Sequence, residues 1–185
     1  DDIDGVVVVA APESVGRVQA FVREWRFDGV TAVIPGGARR QDSVRAGIDA
    51  TDGAAIVAVH DAARPLVTPE LISLGIATAR QSGAAICAVR ARDTVKQVGG
   101  DPPSVRATPD RAMMWLAQTP QVFDRELLRR AHADGADATD DAALVEALGH
   151  AVLVYEGAEW NLKVTTPDDI IIAEALLRRR FDSDS

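Results

Sequence analysis

The 185-residue sequence holds a single cysteine, Cys87, which excludes an internal disulfide and any zinc cluster built on cysteines. One unpaired thiol fits a reducing compartment. Positive charge is also in deficit: 20 Lys+Arg against 28 Asp+Glu leave a net charge of −8. A chain of that balance does not hold nucleic acid or an anionic membrane by bulk charge, because duplex binding needs a basic face. A small anionic ligand needs only a few well-placed cations and stays open. No apolar run approaches the length of a bilayer span. No repeat, linker or low-complexity stretch interrupts the chain, and no signal peptide is visible. The opening Asp1-Asp2-Ile3-Asp4 reads as a start in mid-protein.

What is present is 47% hydrophobic and 26% charged, the balance of one globular domain over residues 1–185. A chain of this size buries about 70% of its unfolded surface on folding. Alanine occurs 32 times, and the cations are 18 arginines against two lysines, Lys96 and Lys163. Drift of surface cations to arginine accounts for most of that bias. Arginine cannot replace lysine where a compact ammonium is needed, so both surviving lysines are candidates for a specific role.

Short apolar runs alternate with helical periodicity. Val6–Ala10, Thr31–Ile34, Ala54–His60 and Ala84–Val89 read as strands covered on both faces. Helices are predicted over Pro12–Trp25, with Val15, Val18, Phe21 and Val22 inward, over Arg39–Ala50, and over 68–81. The last of these opens on Thr68-Pro69-Glu70, a hydroxyl cap with proline at the first helical position, and stops at Gly83. The order βαβαβαβ implies a mostly parallel sheet with helices on both faces. The rhythm then breaks at Asp93–Val98 and Ser104–Ala107, two short strands around a turn-rich tip that forms a projecting hairpin. Met113–Gln118 reads as strand, with Met113-Met114-Trp115 in the core. Helices follow over 124–133 and 139–148, then a strand at Ala151–Tyr155, an extended piece at Asn161–Thr165, and a final helix capped by Thr166-Pro167-Asp168-Asp169. Arg178-Arg179-Arg180 suits the solvated C-terminal end of that helix.

Ligands of open parallel sheets gather beyond the carboxyl ends of the strands. Four polar clusters fall there: Gly36-Gly37 with Asp42 and Ser43, His60-Asp61-Ala62-Ala63-Arg64-Pro65, Arg92-Asp93-Thr94, and Asn161-Leu162-Lys163-Val164-Thr165. The glycines admit either an ordinary tight turn or close approach of backbone N–H groups to an anion or base edge. Asp61 and Arg64 admit either a structural ion pair or an acceptor for sugar hydroxyls beside a cation for phosphate. His132 and His150 lack metal-ligand spacing, and Ser43 has no histidine beside it to make it a nucleophile.

These residues carry a resemblance. Pro35-Gly36-Gly37-Ala38-Arg39-Arg40-Gln41-Asp42-Ser43-Val44, Val59-His60-Asp61-Ala62-Ala63-Arg64-Pro65, Asp93-Thr94-Val95-Lys96, Gln118-Thr119-Pro120-Gln121-Val122-Phe123, Ala138-Thr139-Asp140-Asp141 and Asn161-Leu162-Lys163-Val164-Thr165 are similar in order and spacing to the 2-C-methyl-D-erythritol 4-phosphate cytidylyltransferase family. The resemblance covers nearly the whole chain. It implies a Rossmann-like α/β fold whose hairpin arm, about 92–118, joins a homodimer. The implied reaction is Mg²⁺-dependent transfer of CMP from CTP to a sugar-alcohol phosphate, with loss of pyrophosphate, in the cytoplasm or in a plastid. It places Gly37 and Ser43 at the cytosine, and Asp61 and Ala62 near the nucleotide ribose and the acceptor. Asp61, Arg64, Thr94, Thr119 and Thr139 would hold the acceptor, with Arg111 reaching the partner's acceptor phosphate. Lys163 would stabilise the pentacovalent α-phosphate. No residue ligand for the metal is indicated, the nucleotide phosphates being its main holders. Lys96, in the arm, keeps a structural reading.

One departure is large. Family members open on a strand and a glycine-rich loop whose arginine and lysine wrap the triphosphate, whereas this sequence has no lysine before Lys96. Either the sequence is a fragment, which the intact remainder favours, or the segment is lost. Loss would remove a central strand and much of the phosphate clamp, lowering activity and stability. The alternative readings are a ribitol-5-phosphate cytidylyltransferase and a silent dimerising remnant.

Overall fold

The computed structural model describes residues 2–133, 135 and 137–183. The Val/Ala run β1 (Val6–Ala10) lies parallel to β2 (Val30–Pro35), joined by a 3₁₀ turn and α1 (Val15–Glu24). Then α2 (Arg40–Asp49), β3 (Ile56–Val59), α3 (Pro69–Ser82) and β4 (Ala84–Arg90) follow in the expected alternation. The arm is β5 (Gln97–Gly99) against β6 (Ser104–Ala107), an antiparallel pair separate from the other sheets. The chain continues through β7 (Trp115–Asp124), α4 (Arg125–Ala131), α5 (Asp141–Ala147), β8 (Leu153–Glu156) and α6 (Pro167–Ser183).

Four strands pair in the order β3-β7-β4-β8, with β8 parallel to β4 and β7 antiparallel to both its neighbours. Period-two alternation distributes their side chains to opposite faces. Ala84 and Phe123 join Ile48, Leu127, Leu128, Leu144 and Val145 on the face covered by α2, α4 and α5. Ala85, Cys87, Val122 and Tyr155 meet Leu71, Ile76 and Ala79 of α3 on the other. Gly75 lets α3 close on the sheet: a β-carbon there would stand 2.6 Å from the Tyr155 hydroxyl.

Three expectations need correction. The helix α1 buries no residue, and Phe21 is half-exposed, because α1 rests only on the edge pair β1–β2. Met113 is exposed in a 3₁₀ turn ahead of β7 rather than in strand core. The strand itself is longer than expected, since Gln118-Thr119-Pro120-Gln121 lies within it. Its ladder to β4 jumps from Gln121 opposite Ile86 to Ala117 opposite Ala88. Proline offers no N–H to a ladder, and the local irregularity releases Gln118 and Thr119 to bond elsewhere.

Among the described residues no ladder joins β1–β2 to the four-stranded sheet. Helix α2 touches β1, β2 and α4, and its first residues clasp the segment before α5. Arg40 reaches the fully buried Asp141 at 2.6 Å, and His132 Nε2 donates to the same carboxylate at 3.0 Å. Gln41 donates to the Ala138 carbonyl at 2.6 Å. Burial pushes the Asp141 pKa up, but the bonds from His132 and Arg40 outweigh it and hold the carboxyl below its ordinary range. Removing one partner of such a buried pair strands the others. Asp141→Ala is therefore expected to cost about 3 kcal/mol in urea unfolding at neutral pH. Because the folded pKa lies below the unfolded one, the contribution is present above about pH 4 and lost as pH falls through the folded value. The deficit of the variant should shrink in acid; a deficit unchanged from neutral to acid pH would remove Asp141 from this role.

Candidate active site

The turn after β3 carries His60 to Pro65, and the chain after β8 carries Asn161 to Thr165. Backbone and side-chain bonds bring the two together. Val164 N–H donates to the Ala63 carbonyl at 2.7 Å, and Arg64 donates to the Asn161 carbonyl at 2.8 Å. Asn161, fully buried, donates to the Thr119 carbonyl at 2.9 Å and to Gln118 Oε1 at 3.3 Å. Gln118 in turn holds Ala158 through its carbonyl at 2.9 Å. Both loops thus hang from the irregular stretch of β7. The end of the second loop is fixed by α6, where Thr166 and Asp169 cap reciprocally. N–H groups of Thr165 and Thr166, with their hydroxyls, draw the Asp169 pKa down to about 2.

At the centre Lys163 Nζ stands 2.8 Å from Asp61 Oδ2, with the lysine side chain 47% exposed and the aspartate 22%. Arg40 adds a second positive charge felt by Asp61. An exposed pair of this kind contributes little stability, about 0–1 kcal/mol, so an incoming anion can draw the ammonium away cheaply. Asp61 N–H donates to Thr119 Oγ1 at 3.0 Å. Ala62 is exposed beside it. Across the sheet edge, Gly37 N–H donates to Ser43 Oγ at 3.1 Å. A β-carbon on Gly37 would stand 2.3 Å from that of Asp42, so only glycine brings the loop this close to the helix start.

The structure therefore brings Asp61, Ala62, Arg64, Thr119 and Lys163 into one constellation. The Arg64 guanidinium is already engaged with backbone, at Asn161 and, at 3.4 Å, Ala117. Thr94, Arg111 and Thr139 lie outside it, and among the described residues none bonds to Asp61 or Lys163. Arg111 donates to the Arg92 carbonyl at 2.8 Å at the base of the arm, and Arg92 pairs with Glu159. Lys96 donates to Thr108 within the arm at 2.9 Å, consistent with its structural reading. Cys87 is buried, its thiol pushed up to about 11, which leaves no thiolate for nucleophilic chemistry. Among the described residues no group of three His, Cys, Asp or Glu is placed to hold a metal ion, and no helix is long and apolar enough to cross a membrane.

The chain as a whole is similar to proteins of known kind. The family model described as IspD, 2-C-methyl-D-erythritol 4-phosphate cytidylyltransferase, matches residues 1–179. The chain belongs to this cytidylyltransferase family. A 2-C-methyl-D-erythritol 4-phosphate cytidylyltransferase of Desulforamulus reducens is 46% identical over 185 residues, covering 97% of this chain and 79% of its own. One from Symbiobacterium thermophilum is 51% identical over 180 residues, covering 95% and 74%. The crystal structure of 4-diphosphocytidyl-2C-methyl-D-erythritol synthase from Anaerococcus prevotii superimposes with a TM-score of 0.86 at 31% identity, covering 95% of this chain and 79% of that one. That of the Thermus thermophilus cytidylyltransferase gives 0.78 at 37%, covering 94% and 82%. The Rossmann-like α/β fold is thereby shared with solved cytidylyltransferases.

Sequence reading of this cytidylyltransferase gives Gln118, Asn161 and Arg40 no role of their own, although all three stand in the recognised motifs. Their signal is polarity inside otherwise apolar or loop-edge segments, which shows that a partner is needed but not which one. Asn161→Ala removes the bonds to Thr119 and Gln118 and frees the lysine loop. It is expected to cost about 1–3 kcal/mol and to loosen the backbone at Lys163. Amide exchange over 157–165 checks this; protection equal to the parent protein would show that the loop is held without Asn161.

Proposed function

We propose that this cytidylyltransferase-family chain transfers CMP from CTP to 2-C-methyl-D-erythritol 4-phosphate. An oxygen of the acceptor phosphate forms a bond to the α-phosphorus, the bond to the β-phosphate bridging oxygen breaks, and pyrophosphate leaves with that electron pair. The observation that carries this reading is the half-exposed Lys163 held 2.8 Å from Asp61 in the cluster after the strand ends. A point-charge ammonium held loosely by a carboxylate can shift onto phosphoryl oxygens as charge grows there. Nothing in the cluster needs to form a covalent bond to substrate, and positioning with charge neutralisation suffices.

Gly37 and Ser43 offer a close backbone edge for the cytosine, and Asp61 and Ala62 a place for ribose and acceptor. Arg64 stands on the acceptor side, and the family resemblance adds Thr94, Thr119 and Thr139 to it. A Mg²⁺ ion fits the donor set only in the manner usual for that metal, with one carboxylate, Asp61, beside substrate phosphates and water. When bound it supplies neutralisation of the triphosphate charge. The arm exposes Val98, Val105 and, at its base, Met113 and Leu116. That apolar surface supports a homodimer in which Arg111 serves the partner's acceptor phosphate. The unpaired Cys87 supports a cytoplasmic location.

The test is CTP-dependent pyrophosphate release with methylerythritol 4-phosphate, measured beside ribitol 5-phosphate. Preference for ribitol 5-phosphate, or silence with both, would overturn the reading. Lys163→Ala is expected to lower turnover by roughly 10²–10³-fold while the fold survives. Mixing Lys163→Ala with Arg111→Ala protein should recover part of the activity, because a mixed dimer rebuilds one complete site. No recovery after demonstrated subunit exchange would dismiss the shared site.

A further inference from the structure

His60 has no part in the reaction as described so far, yet both its ring nitrogens are engaged. Nε2 lies 3.1 Å from the Arg64 carbonyl oxygen, and Nδ1 lies 3.0 Å from Thr119 Oγ1. A carbonyl oxygen only accepts, so Nε2 carries the hydrogen. In the neutral ring Nδ1 is then a bare lone pair, and the proton between it and Thr119 belongs to the hydroxyl.

Thr119 Oγ1 also accepts the Asp61 N–H at 3.0 Å. Its one proton is committed to His60 and one lone pair to Asp61. Thr119 is only 5% exposed, and its hydroxyl has no proton left to offer a phosphate oxygen. From Asp61 the chain of contacts runs through the carboxylate to Lys163 Nζ at 2.8 Å.

We propose that His60 is a positioning residue: held as the Nε2–H tautomer, it orients the Thr119 hydroxyl to capture the Asp61 N–H and so sets the Asp61 carboxylate against Lys163. Thr119 then acts as the relay between His60 and Asp61. The activity arm of the test rests on the cytidylyltransferase reading, and the spectroscopic arm does not.

Three substitutions separate the two nitrogens. His60→Asn places an acceptor oxygen where Nδ1 stood and gives up the Arg64 carbonyl. His60→Gln reaches that carbonyl with its amide and gives up Thr119. His60→Leu gives up both. Turnover with CTP and methylerythritol 4-phosphate is expected to fall about tenfold in the Gln and Leu variants, and to stay within about threefold of the parent in Asn. Thr119→Val should lose about the same tenfold, and adding His60→Leu to it should cost no more than about twofold further, since both cut one relay.

The ¹⁵N spectrum of the imidazole in the intact protein is expected to show a bare Nδ1 and a protonated Nε2. Rescue by Gln in place of Asn, additive losses in the double variant, or a ring protonated at Nδ1 would overturn the relay. Should the Leu variant fail to fold, the Asn and Gln pair and the tautomer decide. A parent protein that releases no pyrophosphate overturns the functional reading instead, and the ¹⁵N spectrum alone then decides the relay.

Discussion

Between Ala117 and Gln121 the strand β7 steps out of register with β4, and the site hangs from that step. A strand normally spends its backbone groups on its neighbours. Here Pro120 offers no N–H, the ladder is interrupted, and the released groups find other partners. The Thr119 carbonyl takes Asn161, the Thr119 hydroxyl takes Asp61, and the Pro120 carbonyl takes the Tyr155 hydroxyl at 2.7 Å. Two loops distant in sequence, one after β3 and one after β8, are thereby registered on a single rigid strand. Buried polar groups of this kind stabilise only when satisfied, so the same bonds that fix the loops also make their arrangement unique.

Two ion pairs in this molecule illustrate how burial decides what a charge is for. Asp141 is fully buried and bonded to both Arg40 and His132, so its loss leaves stranded polar groups and its role is structural. Asp61 and Lys163 are in comparable contact but partly open to solvent. Water screens them, the pair contributes little to stability, and the ammonium remains available to a better anion. A lysine locked as tightly as Arg40 could not follow charge as it develops. Lysine is scarce in the sequence, and a mobile point charge is a cationic feature that arginine does not reproduce.

Much of this arrangement is legible in the chain's residue pattern. Continuous apolar runs mark the strands, although only the four-stranded sheet is well covered and β1 and β2 bury no residue fully; Thr68-Pro69 marks the start of α3, and polar residues just after strand ends mark the candidate site. What is illegible has common causes. Phe21 has helical spacing that points to a core, yet α1 lies on an edge pair with little to bury it, and periodicity cannot report what stands opposite. Met113 reads as strand by hydrophobicity, but the chain turns there before β7 begins. The Gln-Thr-Pro-Gln stretch hides inside a strand because proline suggests a boundary. Asn161 and Gln118 can be recognised only as polar residues needing partners, since the bond between them spans 43 positions of chain, beyond any local spacing rule.

The two-piece sheet places a further demand on α2. Gly37 and Ser43 ride on the end of β2, in the pair β1–β2, whereas Asp61 and Lys163 belong to the four-stranded piece. Among the described residues no ladder fixes the distance between them. The helix must do so: Gly47 packs flush against Val9 on one side, while Ile48 enters the core beneath β7 on the other. At its start Arg39, Arg40 and Gln41 hold Asp137, Asp141 and Ala138 in turn. The segment so gripped includes Thr139, and Arg40 is also the second cation felt by Asp61. One helix end thus sets the spacing between the glycine loop, the Asp61–Lys163 pair and the Thr139 segment. A ligand that bridges the first two must find that spacing already correct, since each ångström of adjustment would be taken from its binding free energy.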